Sequence, residues 1–145
     1  MASTMLRGLA PVLMACLLVT GCLPDASQDS LPGSIEFGTN HADHKIRHPK
    51  TNFGPRDRFA YIAHVKRYPA RSRIKEYFLR VLPNGKERLV NSDSFTEPKS
   101  SKFITFKVPI TKLYQFGLTP PGTFRVRLWR GTTKLAEGTF RLHYP

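Results

Sequence analysis

Cysteine is nearly absent from this chain: 145 residues contain two, Cys16 and Cys22, both near the amino terminus. The part that carries strand periodicity therefore has no thiol for a disulfide, a redox pair or a cysteine nucleophile, and its stability must come from an apolar core. Acids are scarce too, ten against 23 Lys and Arg. With so few, a paired-carboxylate site is hard to place, and Asp57, in Gly-Pro-Arg-Asp before a strand, reads as a turn residue. Ser, His and Asp all occur, but none stands in a G-x-S-x-G context. The longest uncharged apolar run, Gly8–Thr20, falls well short of the ~20 residues needed to cross a bilayer as a helix. These absences point away from an enzyme.

What is present suits one folded domain. Hydrophobic residues make up 40% of the chain, with 10 Phe, 5 Tyr and 1 Trp, enough for a single core. Twelve prolines and ten glycines favour many turns and hence β structure. The net charge of +13 is carried almost wholly after the first 21 residues, where Arg7 is the one base. Such a field favours anionic partners: phosphates, acidic polysaccharide, anionic lipid or an acidic protein.

Met1–Arg7 is a short basic start, followed by the apolar run GLAPVLMACLLVT and then Gly21-Cys22. This is the layout of an export signal. Leu18-Val19-Thr20-Gly21-Cys22 resembles the bacterial lipobox, in which an aliphatic residue and two small ones precede the cysteine. The resemblance implies cleavage before Cys22, a diacylglyceryl group on its thiol and acylation of the new amino terminus, which together hold a protein firmly on a membrane. Residues 1–21 are thus expected to be the signal peptide and residues 22–33, reading CLPDASQDSLPG, a lipidated tether. Leu23 rather than Asp after the cysteine implies outer-membrane delivery, facing the periplasm. Export argues against nucleic acid as a partner.

Residues 34–145 read as short strands. Arg58–Tyr68 alternates, with Phe59, Tyr61, Ala63 and Val65 on one face. Ile74–Leu82 places Tyr77, Leu79 and Val81 on one face and Glu76, Phe78 and Arg80 on the other. Pro83-Asn84-Gly85-Lys86 is a hairpin turn, Arg88–Val90 its return, and Lys102–Ile110 points Ile104, Phe106, Val108 and Ile110 inward. Residues 41–55 lack clean periodicity and read as a loop, and one helical turn is expected around Tyr114. In the last hairpin Phe124, Val126 and Leu128 alternate with Arg125, Arg127 and Trp129, and Phe140, Leu142 and Tyr144 with Arg141 and His143. About seven strands at this spacing predict an all-β sandwich. The stretch from Pro121-Gly122-Thr123-Phe124 to Phe140 resembles the closing strands of bacterial immunoglobulin-like domains, which implies that fold and no activity.

Two groups of residues carry candidate chemistry. Arg125, Arg127, Trp129, Arg141 and His143, joined by Phe78 and Arg80 of a neighbouring strand, would form an outward face of forked donors and flat rings suited to anions or protein. His41, Asp43, His44 and His48 have the residue types of a metal site, although Lys45, Arg47 and Lys50 beside them would repel a cation. No cofactor is expected. The expected role is a membrane-anchored envelope lipoprotein serving as a non-enzymatic protein-binding or structural module. Two alternatives stand beside it: a binder of anionic envelope polymer or lipid, such as lipopolysaccharide or peptidoglycan, through the Arg/Trp face, and a metal-binding protein through the His41–His48 loop.

Overall fold

The computed structural model describes residues 33–144; the expected leader, Cys22 and most of the tether lie outside them. Nine strands and one short helix follow in chain order: β1 (Gly33–Ala42), β2 (Lys45–Pro49), β3 (Asn52–Phe53), β4 (Arg58–Tyr68), β5 (Ser72–Val81), β6 (Glu87–Glu97), β7 (Ser101–Pro109), α1 (Ile110–Gln115), β8 (Gly122–Arg130) and β9 (Thr133–Leu142). Seven of them form the path β6-β5-β8-β9-β1-β4-β7, while β2 pairs with β1 and β3 with β9. The sheet curls so that β6-β5-β8-β9 faces β1-β4-β7, and the parallel β1–β9 pairing joins the two halves. This is an all-β, sandwich-like fold, with nine strands among the described residues where about seven were expected.

Alternation in the sequence explains the core. Phe124, Val126 and Leu128 of β8 are fully buried, as are Phe59, Tyr61 and Ala63 of β4. Rings meet across the layers: Phe59 lies 4.6 Å from Phe140 and Phe78 lies 6.1 Å from Phe106, centroid to centroid. Each such ring taken fully from water contributes roughly 1.5–3 kcal/mol before entropy is counted. The Asn84-Gly85 turn closes β5 onto β6, with Gly85 at φ +80, where a side chain would be strained. Asp57 closes the corner before β4, accepting from Gly54 N–H at 2.7 Å and Lys50 Nζ at 2.8 Å. Burial pushes its carboxyl up, but the bonds from Lys50 and Gly54 outweigh that and hold it below its ordinary value.

Residues 41–55 are not a plain loop. Asp43 and His44, at φ +51 and +56, turn β1 back into β2. This hairpin folds over the outer side of β4 and β7, where Lys107 Nζ donates to Asn40 Oδ1 at 3.0 Å. Ala60 and Ile62 point to that outer side and are nevertheless fully buried. The period was hard to read because β2 leaves only Ile46 partly covered among exposed neighbours.

Strand β5 is inverted relative to expectation. Ile74, Glu76 and Phe78 point inward, and Lys75, Tyr77 and Leu79 outward. Either phase offers an aromatic and an aliphatic residue. The inward phase wins because it meets Phe106 and gives Glu76 a partner in Tyr61.

Candidate anion-binding pole and the charged sheet face

Strands β5, β8 and β9 lay their outward residues in rows. Trp129 stands beside Lys75 and Lys134, Arg127 beside Tyr77 and Glu137, and Arg125 beside Leu79 and Thr139. The expected face therefore exists in part, but its arginines are occupied. Glu87 accepts from Arg127 Nη1 at 2.6 Å and Nη2 at 3.0 Å, and also pairs with Arg125. Glu137 accepts from Arg127 Nε at 3.0 Å and Lys134 Nζ at 3.2 Å. Partial burial pushes the Glu137 carboxyl up, and the bonds from Arg127 and Lys134 overcome this and hold it low. The donors that would grip an anion are used within the molecule.

The other residues expected on that face separate. Arg141 and His143 are exposed at its far end, past the ion pairs. Phe78, 1% exposed, belongs to the core. Arg80 lies on the inner side of the sheet end, its guanidinium 5.4 Å above the Phe124 ring and donating to Thr119 O at 3.2 Å and Pro121 O at 2.7 Å. Arg80 thus fastens the approach to β8. Phe78 is corrected from binding face to core, and Arg80 from that face to the partly exposed inner end of the sheet, for the reason given for β5.

The histidine loop does not converge. Asp43 and His44 form the β1–β2 turn, and His48 is exposed in β2 at φ +51. His44 instead stacks on Phe103 at 4.5 Å, while His64 meets the same ring edge-on at 5.5 Å. The His64 Nε2 is buried and 3.5 Å from Glu36 Oε1, without hydrogen-bond geometry. Burial, with Lys107 and His44 nearby, lowers the pKa of His41. Among the described residues no three His, Cys, Asp or Glu side chains gather in a way that could hold a metal ion.

Glu76 is a site that sequence reading missed. It is 4% exposed, and Tyr61 Oη donates to its Oε1 at 2.5 Å between the two layers. Burial raises its pKa to about 7, the Tyr61 bond opposes the rise and the Asp93 carboxylate adds to it. Tyr61 and Glu76 are both buried, so the protonation of the pair bears on stability.

A different concentration of charge lies at one end of the sandwich, where three turns meet. Arg71 in the β4–β5 turn is flanked by Lys66 and Arg67 at the end of β4 and Arg73 at the start of β5; Lys99 lies in the β6–β7 turn with Lys102 at the start of β7, and Arg130 ends β8 before the β8–β9 turn. The first two are tied by Arg71 N–H donating to Glu97 O at 2.7 Å and Arg67 Nη1 reaching Ser100 Oγ at 3.4 Å. Beneath them Tyr68 is buried, its hydroxyl donating to Phe103 O at 3.2 Å, and Ser72 Oγ donates to Pro69 O at 2.6 Å. The turns are therefore held in place by the core. Glu97 is the one acid in these segments, and no ion pair engages Arg71, Arg73, Lys99, Lys102 or Arg130 among the described residues. Arg73 also opens onto a shallow cleft of about 470 Å³ lined by Lys75, Tyr77, Ser92, Asp93 and Ser94. Cations beside hydroxyl donors suit the oxygens of a phosphate.

The opposite end is basic as well, with Arg56, Arg58, Lys86 and Arg141 exposed. Its bases stand on separate elements around the Lys50–Asp57 pair. Lys66–Arg73 is a basic run along the chain, and Lys99, Lys102 and Arg130 join it through strand pairing.

No protein family matches the chain, and no curated protein matches it. Among solved structures it is similar to the superoxide reductase (neelaredoxin) of Ignicoccus hospitalis, at 13% identity and a TM-score of 0.37 over 66% of this chain and 76% of that one. Two variants of that protein align at 12% identity and a TM-score of 0.42, over 83% and 82% of this chain and 86% and 85% of theirs. These neighbours are enzymes, and with them the expectation of a non-enzymatic envelope lipoprotein acting as a protein-binding or structural module is withdrawn. At these values the likeness assigns no reaction to this chain.

Proposed function

We propose that the domain binds clustered phosphates or a comparable polyanion at the pole formed by its β4–β5, β6–β7 and β8–β9 turns. The observation that supports this is the contrast in how arginines are held. Those of the sheet face are bonded to Glu87 and Glu137, whereas Arg71, Arg73, Lys99, Lys102 and Arg130 are free of acid partners among the described residues. Keeping like charges close without acids costs stability through repulsion, and an anion that bridges them offsets that cost.

The test is a titration with inorganic polyphosphate at several salt concentrations. Wild type is compared with a pole variant, Arg71→Glu/Arg73→Glu/Lys99→Glu, and with a charge-matched variant of the other end, Arg56→Glu/Arg58→Glu/Lys86→Glu. Binding should weaken steeply with salt and fall at least about tenfold in the pole variant, against about threefold or less in the other, as expected where close charges act together. Equal losses in the two variants would mean that net charge alone is responsible and no site exists at the pole.

A further inference from the structure

We infer that the shallow cleft between β5 and β6 is a binding site for a phosphorylated sugar. This goes beyond the anion-binding reading above: the cleft borders the pole and shares Arg73 with it, but its other residues are its own.

Strand pairing builds the cleft. Arg73, Lys75 and Tyr77 point outward from β5, with Ser94 opposite Lys75, Ser92 opposite Tyr77 and Asp93 opposite Glu76. Together they line a space of about 470 Å³, within the range of small-ligand sites. β5 is hydrogen-bonded to β6 on one side and β8 on the other, and its Ile74, Glu76 and Phe78 are buried beneath it. The lining side chains therefore stand on a rigid element rather than on a loop. Among the described residues β6 ends the sheet path, which leaves Asp93 exposed at the rim.

These groups are uncommitted. No hydrogen bond or ion pair engages the side chains of Arg73, Lys75, Tyr77, Ser92 or Ser94 among the described residues. Asp93 accepts one bond, from Ser94 N–H at 2.7 Å. Beside Tyr77 on the same face, by contrast, Arg127 is held by Glu87 and Glu137.

The mixture of groups selects the ligand. Arg73 and Lys75 offer charged donors to a phosphate. Asp93 repels a phosphate chain that runs past it and instead accepts from neutral donors, while Ser92 and Ser94 both donate and accept. The Tyr77 ring presents a negatively polarised face to C–H groups. Polyphosphate leaves Asp93 and Tyr77 unused, and an uncharged sugar leaves both cations unpaired. A sugar ring with a phosphate at one end satisfies them all. Alternate residues on a strand lie about 6.8 Å apart and neighbouring strands about 4.8 Å. One ring over Tyr77, with its hydroxyls toward β6, thus brings its phosphate to Lys75 and Arg73.

The test is a titration of the full chain followed by backbone amide shifts in two-dimensional NMR. Glucose 6-phosphate is the probe, with inorganic phosphate and glucose as references. We expect glucose 6-phosphate to bind at least about tenfold more tightly than either, through the combined hydrogen bonds, and to shift the amides of Lys75, Tyr77, Ser92 and Ser94. Asp93→Asn should weaken the sugar phosphate at least about fivefold, as for bonds lost to a charged acceptor. Inorganic phosphate should bind that variant as well or better, because a repelling charge is gone. A folding defect would weaken both ligands alike, so opposite signs identify the carboxylate. Tyr77→Leu, which keeps apolar cover on the sheet, should weaken the sugar phosphate about threefold. Equal affinity for glucose 6-phosphate and inorganic phosphate, or equal losses of both in Asp93→Asn, overturns the sugar site. Polyphosphate binding that still falls in the pole variant then leaves the anion site standing. Sugar-phosphate binding that depends on Asp93, beside polyphosphate binding indifferent to the pole, supports the cleft and removes the pole.

Discussion

The outward face of β5, β8 and β9 and the pole above it carry the same side chains to different ends. On the face, Arg125 and Arg127 sit in the middle of strands with Glu87 and Glu137 beside them, and the result is a ladder of ion pairs across β6, β8 and β9. At the pole, the bases sit on turns and strand ends, where acids are few and strand pairing brings three turns together. Arginine on a sheet face is thus no mark of a binding surface until its partners are known. What distinguishes the two regions is the placement of a few carboxylates, all supplied from elsewhere in the chain.

The sharpest way to break the comparison is to test which side of β5 is interior. Phe78→Ala should cost about 3–5 kcal/mol of stability, as for a large ring removed from a packed core, read by denaturant unfolding. A small effect would return Phe78 to the face. The next effect is in pH. The folded pKa of Glu76, about 7, lies above its ordinary 4.5, so the native state holds this proton more tightly than the unfolded chain. The resulting stabilisation is complete below pH 4.5 and is lost as pH rises through 7, an amount on the order of 3 kcal/mol. Melting temperature measured across that range should fall with pH on this account, and Glu76→Gln should flatten the slope. If the slope is unchanged in the variant, other groups set it.

Two smaller effects separate face from pole. Glu87→Gln strands two arginines at once and should cost about 1–2 kcal/mol, moderated by partial exposure to solvent. A melt that equals wild type would show the ion-pair ladder to be incidental. Neutral substitutions at the pole, Arg71→Ser with Lys99→Ser, should leave the melting temperature unchanged or raise it slightly at low salt as repulsion is relieved. A clear loss of stability there would give those bases a structural role and weaken the anion site.

Much of the fold was legible in residue order. The β8–β9 hairpin follows directly from Phe124, Val126 and Leu128 alternating with Arg125, Arg127 and Trp129, and the Asn84-Gly85 turn from the one backbone conformation that pair accommodates readily. The helical turn expected around Tyr114 is α1. Residues 45–49 were illegible because a strand that covers a neighbour with one side chain, Ile46, leaves almost no hydrophobic period. The phase of β5 was ambiguous for another reason. A glutamate reads as outward by type, and only a tyrosine on a different strand makes its burial tolerable.

The sequence by itself determined most of the strand-forming segments, most of their inward faces and the excess of positive charge, because these depend on local periodicity and composition. The tertiary structure decided which charges are spent and which are free. That Glu87 engages Arg125 and Arg127 across nearly forty positions, and that Arg71, Lys99 and Arg130 share one end, are consequences of sheet order. Coulomb interactions depend on distance in space and on the solvent between the charges, and neither is fixed by separation along the chain.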